Sequence, residues 1–120
     1  MINKDMMQDV YSTEEVKTNK VWIDGKPIYR TVLSGMIFDG NKDHNIKNID
    51  NITFIYGTMW SGAEQQQDTN VFPINTVRVG YTDRALGVYM SKSYFAFDKG
   101  SSIGSGYSYR IVAEYTKTTD

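Results

Sequence analysis

Residue types able to do chemistry are few in this 120-residue chain, and their spacing is poor. Cysteine is absent and His44 is the single histidine, which excludes disulfides, thiolate nucleophiles, thiolate metal sites and multi-histidine metal sites. A serine–histidine–carboxylate relay would rest on His44 alone. That residue stands in a run of Asn, Asp and Lys, where a solvent-exposed or turn position is expected of it.

The run from Asp39 to Asn45 sets oxygen-bearing side chains at alternate positions, with Asp50 at the twelfth, an arrangement superficially like a calcium loop. Its sixth position is His44, where such a loop needs glycine, and Asp50 is shorter than the usual bidentate glutamate. A plain Asn/Asp turn with no metal is the expectation. The carboxylates Glu14, Glu15, Asp24, Glu64, Asp68, Asp83, Asp98 and Glu114 contain no spacing that selects the pair, about 5 to 10 Å apart, used in glycoside hydrolysis. No catalytic set and no cofactor are therefore expected.

The aromatics carry more information. Tyrosine occurs nine times and tryptophan twice, and an exposed ring stacks on the apolar face of a sugar while neighbouring polar groups bind its hydroxyls. Strand-borne aromatics are expected mostly in the core, in cross-strand pairs or between subunits. Trp60 stands apart because it opens a polar loop, Ser61 to Asn70, beside Glu64, and loops carry binding function disproportionately. Arg84 closes a Thr82-Asp83-Arg84 turn that would bring Tyr81 and Tyr89 near it. Trp60, Glu64, Arg84, Tyr81 and Tyr89 are the candidate ligand-binding residues.

The elements that must position them read as strands. Lys20 to Asp24 and Pro27 to Leu33 are β-branched and aromatic around Asp24-Gly25, a hairpin signal because glycine tolerates the positive φ of a tight turn. Ile52 to Tyr56 is a strand broken by Gly57, Val71 to Ile74 is a short edge strand, and two more runs flank the Thr82–Arg84 turn. Tyr94 to Phe97 is a compact aromatic strand. Tyr107, Tyr109, Ile111, Ala113 and Tyr115 alternate with Ser108, Arg110, Val112 and Glu114 in the longest period-2 run. Ser12 to Glu15 allows one helical turn at most. Strands spaced by about ten residues with turn chemistry between them indicate an all-β, antiparallel β-sandwich, with a barrel as the alternative. An arm over residues 1–10 and a single sandwich domain over 11–120 complete the organisation.

Bulk properties narrow the partners. A net charge of -1, from 13 basic and 14 acidic residues without long runs, advertises neither nucleic acid nor an anionic membrane. The first residues hold no apolar stretch of signal-peptide length, and nowhere do about 18 apolar residues run together, so neither that route of export nor membrane insertion is expected.

Two stretches are more specific than composition. Val10-Tyr-Ser-Thr-Glu-Glu15 leads to Thr18-Asn-Lys-Val-Trp-Ile-Asp-Gly-Lys-Pro-Ile-Tyr-Arg30, and the chain closes on Tyr109-Arg-Ile-Val-Ala-Glu-Tyr-Thr-Lys-Thr-Thr-Asp120. With Asn48-Ile-Asp50 and Ile55-Tyr-Gly57, they resemble a C-terminal domain common to tailed-bacteriophage virion proteins, of the tail-fibre and receptor-binding type. The resemblance covers residues 10 to 60 and 107 to 120 and brings no catalytic or ligand residues with it. It implies a virion component at the end of a chain, made in the cytoplasm of a bacterial host, in a β fold that often trimerises. Its expected partners are itself as a homotrimer, other virion proteins and a host cell-surface glycan. Host attachment through saccharide binding is the expected function; the alternative is a purely structural head fibre, decoration or baseplate component.

Overall fold

The computed structural model describes residues 10–67, 70–78, 81–100, 103 and 106–118, with the side chains of 76–78 and 81–85 outside the description. Among these residues there are nine strands and no helix: β1 (Val16–Val21), β2 (Pro27–Met36), β3 (Lys42–Asp43), β4 (Ile49–Ser61), β5 (Val71–Pro73), β6 (Thr76–Arg78), β7 (Tyr81–Met90), β8 (Tyr94–Lys99) and β9 (Tyr107–Lys117). They form two antiparallel sheets, one in the order β1-β2-β9-β4-β5 and the other β3-β8-β7-β6. The two sheets face each other as a β-sandwich.

The long alternating run becomes β9, the middle strand of the larger sheet, paired with β2 on one side and β4 on the other. Its Tyr109, Ile111, Ala113 and Tyr115 point inward and are all but fully buried. Across the sandwich, Leu86 of β7 and Phe95 of β8 join Ile37, Met59, Ile74, Ile103, Tyr109 and Ile111 in one core. Phe38, Phe95, Phe97 and Tyr109 meet edge to face with centroids 5.1 to 6.2 Å apart, the geometry that aromatic quadrupoles prefer. The chain changes sheets at Ile74-Asn75, where Ile74 N–H donates to Gly57 O in the larger sheet and Asn75 N–H donates to Leu86 O in the smaller. Asn75 adopts a φ of 70°, and its Oδ1 accepts from Val88 N–H. An Asn tolerates that left-handed backbone better than most side chains.

The Asp24-Gly25 hairpin forms as read, with Gly25 at a φ of 88° and Trp22 N–H donating to Lys26 O. Its first strand runs earlier than expected, from Val16 to Val21, so Trp22 lies in the turn and Ser12–Glu15 forms no helical turn. Gly57 does not break β4, which continues through it for 13 residues. A Cβ at Gly57 would lie 2.4 Å from the carbonyl oxygen of Arg110, so glycine is there to let β4 and β9 approach. Residues 82–84 lie within β7 and not in a turn, and Tyr81 at the start of that strand already pairs with Arg78 of β6; residues 79–80 lie outside the described residues. His44 is also corrected: it is 6% exposed. Its Nδ1 accepts from Ile46 N–H, which leaves Nε2–H to donate to Ser91 O at 2.9 Å, so the ring ties the loop after β3 to the end of β7.

Candidate functional site

Trp60 does not present a free ring. Along β4, Met59 points into the core and Trp60 to the outer face of the larger sheet, opposite Ser108. The loop that follows folds back over it. Gly62 N–H donates to Gly106 O, and Ser108 Oγ donates to Gly62 O at 2.6 Å. Trp60 Nε1–H donates to Ala63 O at 2.8 Å, and the Arg110 guanidinium sits 5.3 Å from the ring centroid while donating to Glu64 O. The indole is fully buried as a result, and a sugar could stack on it only if the loop lifted.

Glu64 is half-buried, its carboxylate accepting from Ser34 Oγ at 3.4 Å. Tyr89 is 46% exposed, but it lies on the outer face of the smaller sheet, since Val88 and Met90 beside it pack inward. Trp60 and Tyr89 are therefore on opposite faces of the sandwich. Arg84 and Tyr81 belong to β7, with side chains outside the described residues. The expected group is not assembled into one site.

The outer face of the larger sheet instead carries a cluster that sequence reasoning missed: Tyr11, Lys20, Arg30, Phe54, Tyr56 and Glu114. The register builds it. Arg30 of β2 and Phe54 of β4 flank Glu114 of β9, and Tyr56 stands opposite Val112 in the next outward rank. Arg30 Nε–H donates to Glu114 Oε2 at 2.9 Å, with both side chains about 95% buried. Lys20 reaches the other oxygen at 3.2 Å from a largely exposed position.

Burying an ion pair costs solvation that must be offset by geometry and hydrogen bonds. Here Arg30 Nη1 is buried without a hydrogen-bond partner among the described residues, and the Tyr11 ring lies 4.1 Å from the guanidinium carbon. The ring face partly substitutes for the missing acceptor. Tyr56 O–H then donates to Tyr11 Oη at 3.2 Å, so the segment before β1 is held across the sheet. Partial burial and that hydrogen bond push the Tyr56 phenol up to about 12. It stays a protonated donor at neutral pH.

This face is aromatic with polar edges. Phe54 and Tyr56 are 54% and 38% exposed, with centroids 5.0 Å apart and planes tilted by 45°, and Tyr11 is 56% exposed beside them. Ring faces and phenolic hydroxyls stand together with the Lys20 ammonium. One signal for it was legible: Glu114 and Arg110 stand on the outward side of the long alternating run that becomes β9, and a charge placed there calls for a partner. Which partners, however, depends on strands 84 residues away in sequence. Among the described residues no group of three or more His, Cys, Asp or Glu is placed to hold a metal ion. No family model, curated protein or solved structure matches this chain.

Proposed function

We propose that this chain is a recognition domain that binds a saccharide of a host-cell surface, in the setting its sequence resemblance implies: the attachment apparatus of a tailed bacteriophage, with the domain present as a trimer. The observation that carries the reading is the aromatic face formed by Tyr11, Phe54 and Tyr56 around the Arg30–Glu114–Lys20 cluster. Aromatic faces bury the apolar side of a sugar ring, and Lys20 and the phenols supply hydrogen bonds at its rim. A shallow surface of this kind binds each copy weakly, and linked copies raise the avidity without a deep pocket. The function needs no chemistry from the domain, and we read it as non-catalytic.

A second reading is supported by the β1–β2 hairpin, whose Val21 and Ile23 are 64% and 91% exposed on either side of Trp22. Apolar side chains at a hairpin tip fit packing against another subunit or virion protein. Under that reading the domain is a structural virion component without receptor binding.

The test is binding of the purified chain to bacterial surfaces and to a glycan array, alongside its Tyr56→Ala and Phe54→Ala variants, with oligomeric state measured by light scattering. Saccharide binding that is weakened by both substitutions supports recognition. A folded chain that binds no glycan and no cells leaves the structural reading, and a monomer removes the trimer.

A further inference from the structure

A second opening in the molecule lies away from the aromatic face, on the inner side of the larger sheet where the loop after β3 closes the end of the sandwich. It is a cavity of about 310 Å³ lined by Thr13, Glu15, Thr31, Asn45, Lys47 and Lys117 together with His44 and Ile46. A neighbouring cavity of about 210 Å³ shares Thr13, His44 and Asn45 with it and continues toward Tyr109 and Phe95. The first volume falls at the lower end of the range for small-molecule sites, about 300 to 1,000 Å³.

The walls are held in place before any ligand arrives. His44 bridges Ile46 N–H and Ser91 O, Asn45 takes a φ of 61° with its N–H on Asp43 Oδ1, and Ile46 packs against the Ile49–Ala113–Tyr115 cluster. On the opposite wall, Glu15 accepts from Tyr115 O–H at 2.6 Å and pairs with Lys117 at 2.7 Å, and Thr31 Oγ1 shares the Tyr115 hydroxyl at 2.7 Å. The lining therefore sets the hydroxyls of Thr13 and Thr31 and the amide of Asn45 beside the Glu15 carboxylate. Its charge is unbalanced: Lys117 is matched by Glu15, whereas Lys47 is exposed and has no ion pair among the described residues.

We infer that this cleft binds a carboxylate-bearing monosaccharide unit, with Lys47 taking the ligand carboxylate and Thr13, Glu15 and Asn45 taking its hydroxyls. The inference rests on the saccharide-binding reading above and names an acidic sugar as part of the ligand. A neutral sugar would leave Lys47 unmatched, and a bare carboxylate would leave the hydroxyl-binding wall unused.

The test is amide-resolved NMR of the full chain titrated with sodium glucuronate, glucose or sodium acetate at matched ionic strength. It is repeated for K47E and for F54A, whose side chain lies on the outer face of the larger sheet and outside the cleft lining. Saturable shifts at Asn45, Ile46, Lys47 and Lys117 with glucuronate alone are expected. K47E should weaken the affinity they report by roughly tenfold or more, a change of about 1.4 kcal/mol, and F54A should leave it unchanged. Equal response to glucose or acetate, no saturable response, or an unaltered response in K47E overturns the assignment. Cell binding lost in F54A while the cleft fails to titrate would sink this site and leave the attachment reading standing. Titration of the cleft by a chain that binds no cell surface would do the reverse.

Discussion

Glu114→Ala should be among the most damaging single changes available outside the core. The substitution leaves the Arg30 guanidinium in place, about 96% buried, with its Nε–H partner gone and Nη1 already without a hydrogen bond among the described residues. Arginine does not shed its proton in a protein, so the charge cannot be relieved by neutralisation. Removing one member of a buried pair costs about 3 to 5 kcal/mol. The Lys20 contribution is discounted because that side chain is 58% exposed and its bond is screened by water. With a urea slope of about 1.5 to 2 kcal/mol/M, the unfolding midpoint should fall by roughly 2 M, followed by the fluorescence of Trp22 and Trp60. Glu114→Gln, which keeps an acceptor of the same shape, should lose about half as much. The double variant R30M/E114L should recover most of the loss, because apolar residues of similar volume replace buried ion pairs at little cost. A loss below about 1 kcal/mol for Glu114→Ala would mean that water reaches the pair, and a double variant as unstable as the two single losses added would refute the coupling.

Further outcomes follow from other parts of the fold. Gly57→Ala forces a Cβ to within 2.4 Å of a backbone oxygen of β9, which cannot rotate away, and should cost about 2 to 3 kcal/mol in chemical denaturation. Trp60→Ala empties a fully buried site on the outer face and should cost about 3 to 5 kcal/mol, so any loss of ligand binding in that variant should track its unfolded fraction in thermal melts. Folding raises the phenols of Tyr56 and Tyr109 from 10.0 to about 12, chiefly by burial, and raises that of Tyr115 further. The fold therefore holds these protons: their stabilisation is complete below pH 10 and drains as the pH rises toward 12, which alkaline unfolding monitored by tyrosinate absorbance should reveal. The hydrogen bond from Lys26 lowers Asp50 below its model-peptide value of 3.8 and raises Lys26 above 10.5. Asp50→Asn should thus be less stable than the native chain at neutral pH, with the difference closing as acid titrates the native carboxylate below pH 3.8, measured as melting temperature against pH.

The all-β sandwich could be read from the chain because its evidence is local. Asp24-Gly25 carries its own turn geometry, Val71–Pro73 is a short run with a proline tolerable at an edge, and the alternation from Tyr107 to Tyr115 sorts one face from the other wherever the strand lies. What failed were statements that need a neighbour. Gly57 looks like a break until β9 is placed against it, and His44 looks like a polar turn residue until Ser91 and Ile46 supply partners for both ring nitrogens. Trp60 looks like a loop-mouth aromatic until the loop turns back and covers it.

The same division runs through the candidate sites. Sequence alone determined that the chain has no thiol, a single histidine, a large stock of aromatics and a strand in which Arg110 and Glu114 share one face. Tertiary structure decided that Glu114 meets Arg30 across 84 residues, that Tyr11 lies over that pair, and that Phe54 and Tyr56 remain exposed beside it. It also set the 44–47 loop over Lys117 and Glu15 to make a cleft. Alternation fixes which face a side chain takes, a property of one strand with period 2. Register fixes which side chains it meets, a property of strand pairs whose ends are joined only through the fold as a whole.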